Sequence, residues 1–110
     1  MNNTSKIIRT WKGWTTLENA PVYEALLVND VFPTIKKKGI DGLEKVSIAT
    51  KTKTDEVEFF LTLQFDNMDS VRAFAGEDVE QAYIPEHAKR VLERYEATAE
   101  HFELKTELVL

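Results

Sequence analysis

An α+β domain in the order β-α-β-β-α-β, with two helices on one face of a four-stranded antiparallel sheet, is the fold class the sequence predicts. Three observations predict it. Residues 57–65 place Val57, Phe59, Leu61, Leu63 and Phe65 at alternate positions, which puts all of them on one face of a strand. Tyr23, Leu27, Val31 and Ile35 recur at every fourth position, which lines them up along one face of a helix. The strand-like and helix-like segments alternate at spacings that a hairpin and right-handed crossovers of ordinary length can span.

The first strand covers residues 6 to about 14, where isoleucine, threonine and tryptophan concentrate. Residues 15–19 turn the chain. Asn19 or Ala20 caps the first helix, in which Pro21 takes an early position that needs no N–H. Leu26 lies beside the apolar row of that helix. Pro33 interrupts the pattern, because it has no donor for the Asn29 carbonyl and clashes with it; a kink or break near 30–32 follows. Gly39 and Gly42 bracket a turn, and residues 43–53 form the second strand. A polar segment, 52–56, makes the hairpin turn into the third strand, 57–65, whose apolar face must be the core. Asp69 or Asn67 caps a short helix, 70–75, that buries Val71, Phe74 and Ala75 and stops at Gly76. After an acidic stretch, Pro85 opens a helix running through Ala88, Val91, Leu92 and Tyr95. Residues 100–108 alternate Phe102 and Leu104 against His101, Glu103 and Lys105, which predicts a last, half-exposed strand.

This order is the ferredoxin-like arrangement. Its sheet has a second face that should be polar in a monomer. Here that face includes Phe60, between Glu58 and Thr62, and either parity of the first strand adds a tryptophan, Trp11 or Trp14. Pairing the open faces of two sheets would bury these rings, so a homodimer is expected.

Composition bounds the function. At 110 residues and 43% hydrophobic, the chain suits a single domain, 1–110, with its core at about 6–106. The formal charge is -5 and the cations form no patch beyond Lys36, Lys37 and Lys38, which suit a helix C-terminus; nucleic acid is therefore not an expected partner. With no cysteine there are no disulfides, thiolate nucleophiles or Cys-ligated metals. The N-terminus lacks a signal-type apolar core and no run suits a membrane span, so a cytoplasmic protein is expected. No nucleophile motif, phosphate loop or metal-ligand spacing occurs, and neither a metal nor a cofactor is expected.

Several stretches together resemble a known family. Arg9, Trp11 and Gly13 on the first strand, Pro33, the Gly39 and Gly42 turn, residues 71–78, Ile84-Pro85-Glu86, and residues 101–104 look like the antibiotic biosynthesis monooxygenase-like domains of the dimeric α/β-barrel superfamily. The resemblance spans about 6–106. It implies a dimeric α/β barrel and, among activities, a cofactor-independent monooxygenase, an oxidoreductase acting on a small planar aromatic of phenol or quinone type. The superfamily also holds heme-degrading enzymes, isomerases and stress-response proteins, so fold does not choose among them. Heme degradation is disfavoured. Where that branch carries a first-strand asparagine, a tryptophan and a histidine iron ligand, this chain resembles it poorly, with Arg9 and Trp11, Phe74 and Ile84 there; His87 lies three residues further on.

Residue chemistry supplies the candidates. Arg9 and Trp11 share a strand parity and can line one cavity, the guanidinium for an anionic oxygen and the indole for a planar ring. The ordinary alternative pairs Arg9 with a glutamate and packs Trp11 in the core. His101 can neighbour the first strand and act as general base near neutral pH; a histidine bonded to backbone is the alternative. Tyr23, Phe74, Tyr83 and Tyr95 are candidate substrate-binding residues, Tyr83 as part of a lid over the cavity mouth and the others equally at home as core. Two functional readings remain: an oxygenase with Arg9 and His101 as catalytic groups, and a non-catalytic binding or structural homodimer whose interior is filled by Trp11, Tyr23, Phe74 and Tyr95. Which parity of the first strand faces the helices stays open.

Overall fold

The computed structural model describes residues 5–110. Strand β1, Ile7–Thr15, is flanked on both sides within the sheet. Ile7, Arg9, Trp11, Gly13 and Thr15 are buried while the residues between them are only half-buried, so the odd positions face the helices. Strand β3, Val57–Phe65, fixes that parity. Trp11 lies opposite Leu61 and Gly13 opposite Phe59, and residues opposed across an antiparallel pair project to the same face. Strand β2, Leu43–Thr52, pairs with the other side of β3 and forms one sheet edge.

The helical layer begins with α1, Ala20–Leu26, passes into a π-helical turn, Leu27–Val31, and resumes as α2, Phe32–Lys37. Pro33 accounts for the irregularity. The Phe32 N–H reaches back to the Leu27 carbonyl, and Pro33 has no N–H with which to continue the ladder. The kink expected near 30–32 thus takes the form of a π turn that preserves the helix. Tyr23, Leu27, Val31 and Ile35 are all buried against the sheet, with Tyr23 edge-on to Phe59 at 4.8 Å between ring centroids. Helix α3, Met68–Ala75, starts two residues earlier than expected; its cap is Asn67, whose Oδ1 accepts the Ser70 N–H at 3.1 Å. Gly76 ends it at φ 85°, as a glycine can.

Two expectations for the C-terminal part are corrected. The helix expected to run from Pro85 through Tyr95 is only one turn, α4, Glu86–Lys89. Beyond it the Glu93 N–H donates to the Trp14 carbonyl at 2.8 Å and the Glu96 N–H to the Lys12 carbonyl at 3.0 Å, so the free edge of β1 captures backbone that helical periodicity alone would extend. Tyr95 therefore lies on a strand, β4, Arg94–Tyr95. The last strand, β5, is Glu100–Glu103 rather than 100–108, and its facing is the reverse of its hydropathy: His101 opposes Arg9 on the helix side, while Phe102 opposes Ile8 on the open face. Together β4 and β5 take the place of a single fourth strand, which makes the antiparallel sheet five-stranded and leaves it open rather than closed into a barrel.

The open face carries Ile8, Trp14 and Phe60, half-buried, and Phe102, 52% exposed. Cations lie on its rings: the Arg94 guanidinium is 4.5 Å from the centre of Trp14, and Lys12 Nζ is 5.9 Å from that of Phe60. Among the described residues no helix is long and apolar enough to cross a membrane.

Candidate functional site

Between the first helix and the helix-facing side of the sheet lies a cavity of about 50 Å3. The sheet contributes Arg9, Trp11, Leu61 and Leu63, and the helical layer contributes Tyr23, Leu27, Val31, Phe32 and Ile35. Phe74 of α3 closes one side. The segment 76–85, which we call the strap, brings Ala82, Tyr83, Ile84 and Pro85 across the mouth. Of the residues expected from sequence to form a site, Arg9, Trp11, Tyr23, Phe74 and Tyr83 thus meet around one cavity. His101 stands behind Arg9, outside the lining. Tyr95 is not brought in: it sits opposite Gly13 on β4, 38% exposed.

The polar groups are committed in an order that chain topology explains. Arg9, 4% exposed, donates from one terminal nitrogen to the Val79 carbonyl at 2.5 Å and from the other to the Gln81 carbonyl at 2.8 Å. Its first nitrogen also lies 2.8 Å from His101 Nε2, and its guanidinium carbon 5.4 Å from the centre of the Phe74 ring. Arg9 therefore clasps the strap to β1, in place of the glutamate pairing that stood as its alternative. Backbone bonds reinforce the clasp: Ala82 N–H donates to Ala97 and Ala99 N–H to Glu80. The Trp11 indole N–H donates to the Glu96 carbonyl at 2.6 Å, which fixes the ring. At the mouth, Tyr83 is edge-on to Phe74, and Lys38 Nζ lies 4.3 Å from the centre of the Tyr83 ring.

Electrostatics sets the protonation of His101. Burial, and then the Arg9 charge beside it, push its pKa down to about 4. A neutral imidazole that accepts from Arg9 at Nε2 carries its proton on Nδ1. The unfolded chain, with an ordinary value near 6.5, binds the proton more readily, so this contribution to stability is complete above pH ~6.5 and is lost as pH falls toward 4. A His101→Gln variant keeps an acceptor for Arg9 and does not titrate. Denaturation midpoints measured from pH 7 to 4 will fall less steeply for it than for the parent chain; parallel profiles would refute the assignment.

His87 lies outside the cavity. Its Nε2 is 2.5 Å from Asp30 Oδ2, and both side chains are about half exposed. Ile84 lines the cavity. Sequence reading missed the small strap and core residues Ala82, Pro85, Ala88 and Ala99, whose lack of bulk leaves the space. Alanine carries no recognisable site signal, and only the four-residue spacing of Tyr23, Leu27, Val31 and Ile35 pointed toward this wall.

No protein-family model and no curated protein matches the sequence. Solved structures do match. A Bacillus cereus protein provisionally named an antibiotic biosynthesis monooxygenase superposes with a TM-score of 0.68 at 8% identity, over 96% of this chain and 99% of that one. A protein from an uncultured marine organism, described as a dimeric ferredoxin-like protein, superposes with a TM-score of 0.57 at 10% identity, over 97% of this chain and 93% of that one. At such identities the likeness is one of architecture, and the chain has the α+β, ferredoxin-like fold of an antiparallel sheet with its helices on one face.

Proposed function

We propose that the chain is a monooxygenase-like protein that works as a homodimer and admits a small planar phenol- or quinone-type molecule beneath the strap. The observation that carries this reading is the Arg9 cation in the wall of a mostly apolar cavity. A fixed positive charge in such surroundings favours the anionic form of a phenol or enol over its neutral form. That anion is the species able to give electrons to dioxygen, so the substrate itself supplies the reducing power. The name of the Bacillus cereus neighbour supports a monooxygenase-like reading. Incubating the protein with hydroquinones and naphthols in an oxygen electrode should give oxygen uptake above the rate of spontaneous oxidation, and Arg9→Lys should lower it.

A second reading, binding without oxidation, is favoured by a specific observation. No carboxylate or imidazole is among the side chains lining the cavity, and His101 is neutral with Nε2 already occupied by Arg9. The cavity is also far smaller than the ~300 Å3 or more of ordinary ligand sites. Thermal stabilisation by the same phenols, with no oxygen uptake, would decide for this reading.

The dimer is supported by the apolar residues Ile8, Trp14, Phe60 and Phe102 of the open face and by the description of the marine neighbour. Phe60→Glu should weaken association by tenfold or more, since a charge buried against a partner sheet loses its hydration. Equal sedimentation of the variant and the parent chain at micromolar concentration would count against this interface.

A further inference from the structure

The cavity wall contains a buried hydroxyl whose hydrogen bonding is left open. Tyr23 is 2% exposed and lines the cavity, yet its hydroxyl makes no hydrogen bond to a described residue. No enclosed side-chain polar atom of the described residues is without a partner. The unpaired hydroxyl therefore touches free space, and Tyr23 lines the cavity. Burial pushes the phenol above its ordinary pKa, so the group keeps its proton and is available as a donor.

The residues around it offer a water few partners. An ordered buried water needs about two to four polar partners. The Trp11 indole N–H and three of the five Arg9 N–H groups are taken by carbonyls and His101, and Tyr83 stands at the exposed end. The remaining side chains are hydrocarbon. The π turn shapes this pocket, since Leu27 and Val31 within it and Phe32 just after it all line the space; π turns recur where a helix has been adapted to a site. A mostly apolar wall with an unsatisfied hydroxyl donor matches a planar ring bearing an acceptor atom.

We propose that the Tyr23 hydroxyl is the donor that orients the ligand, and that the ligand is a single ring with an acceptor oxygen, a quinone carbonyl or a phenol oxygen, directed at α1. This rests on reading the cavity as a ligand site. The ring lies against Leu27, Val31 and Leu61. Because benzene needs a cavity of about 150 Å3, the present ~50 Å3 must widen on binding, and the half-exposed Tyr83 is the wall that yields. The π turn and Tyr23 stay in place as the rigid side.

Phenol and toluene serve as matched probes, equal in size and differing in the acceptor. Each is titrated by chemical-shift perturbation into the full chain, into Tyr23→Phe, and into Val31→Phe, which fills the cavity. The expected result is that Tyr23→Phe weakens phenol binding about five- to tenfold while toluene changes less than about twofold, and that Val31→Phe weakens both. If both probes bind and Tyr23→Phe leaves the phenol affinity unchanged, Tyr23 is not the donor although the cavity is a ligand site. If neither probe binds the parent chain, or Val31→Phe leaves both affinities intact, the cavity reading itself falls.

Discussion

Replacing Arg9 with alanine will destabilise the protein by about 3 kcal/mol and release the strap before the sheet. Three features set the size of the effect. The guanidinium is buried and donates to two strap carbonyls, Val79 and Gln81. Hydrogen bonds to a charged group contribute roughly 1.5–3 kcal/mol each in net terms, and a truncated long side chain leaves a void besides. Against this, removing an arginine relieves the desolvation of a cation that burial holds below its ordinary pKa. The two bonds outweigh that relief, because the orphaned carbonyls keep their own desolvation cost unless the strap swings into water. Arg9→Met separates bonding from bulk: it restores most of the volume and neither bond, so most of the loss should persist. Chemical denaturation measures the total. Amide exchange locates it, with the Ala82 and Ala99 N–H groups, which tie the strap to residues 97 and 99, losing protection while β3 amides keep theirs. Strap amides as well protected in the variant as in the parent would mean that Arg9 is not the clasp.

That role was only half legible in the sequence, for a physical reason. Strand parity put Arg9 beside Trp11, and helical spacing put Tyr23 over them; both periodicities are local and both held. The acceptors of Arg9 are main-chain carbonyls of residues 79 and 81, and every residue type has a carbonyl, so no side-chain pattern announces them. Pro33 announced a helix defect, because the missing N–H is a property of proline itself; whether the helix would break or absorb the defect as a π turn depended on packing against β1 and β3. The same limit explains the C-terminal misreading. Val91, Leu92 and Tyr95 fit a helical stripe, but the unpaired edge of β1 offered the carbonyls of Lys12 and Trp14, and pairing with them outcompeted continuation of α4. Phe102 and Leu104 alternate with His101, Glu103 and Lys105 along a strand expected to be half-exposed. Register with β1 puts Phe102 outside, beside Ile8, where its apolar surface extends that of the open face instead.

Gly13→Ala is the second large effect, and it connects the stability of β1 with the cavity. A Cβ at residue 13 would lie 2.6 Å from Trp11 Cη2, 3.0 Å from Trp11 Cζ3 and 3.1 Å from Leu92 Cδ2. The backbone of Gly13 needs no left-handed conformation, so the demand is for space alone. One of the neighbours has to move. Leu92 and Trp11 are equally buried, each 8% exposed, but of the two only Trp11 borders the cavity. The indole will therefore tilt into the cavity, straining or breaking its 2.6 Å bond to the Glu96 carbonyl. Overpacking costs about 1–3 kcal/mol and the weakened buried bond adds about 1, so a loss of about 2–3 kcal/mol is expected. Gly39→Ala is the control, since nothing lies within 4 Å of its would-be Cβ and only its φ of 68° is at stake. It should cost no more than about 1–2 kcal/mol, the penalty of a left-handed alanine, and leave ligand binding unchanged. Gly13→Ala, by contrast, should abolish phenol binding in proportion to how far the indole fills the cavity, which quenching of tryptophan fluorescence by added phenol can follow. A Gly13→Ala protein that is less stable yet binds phenol as the parent does would show that Leu92, and not Trp11, gives way, and that the volume beside the indole is not where the ring sits.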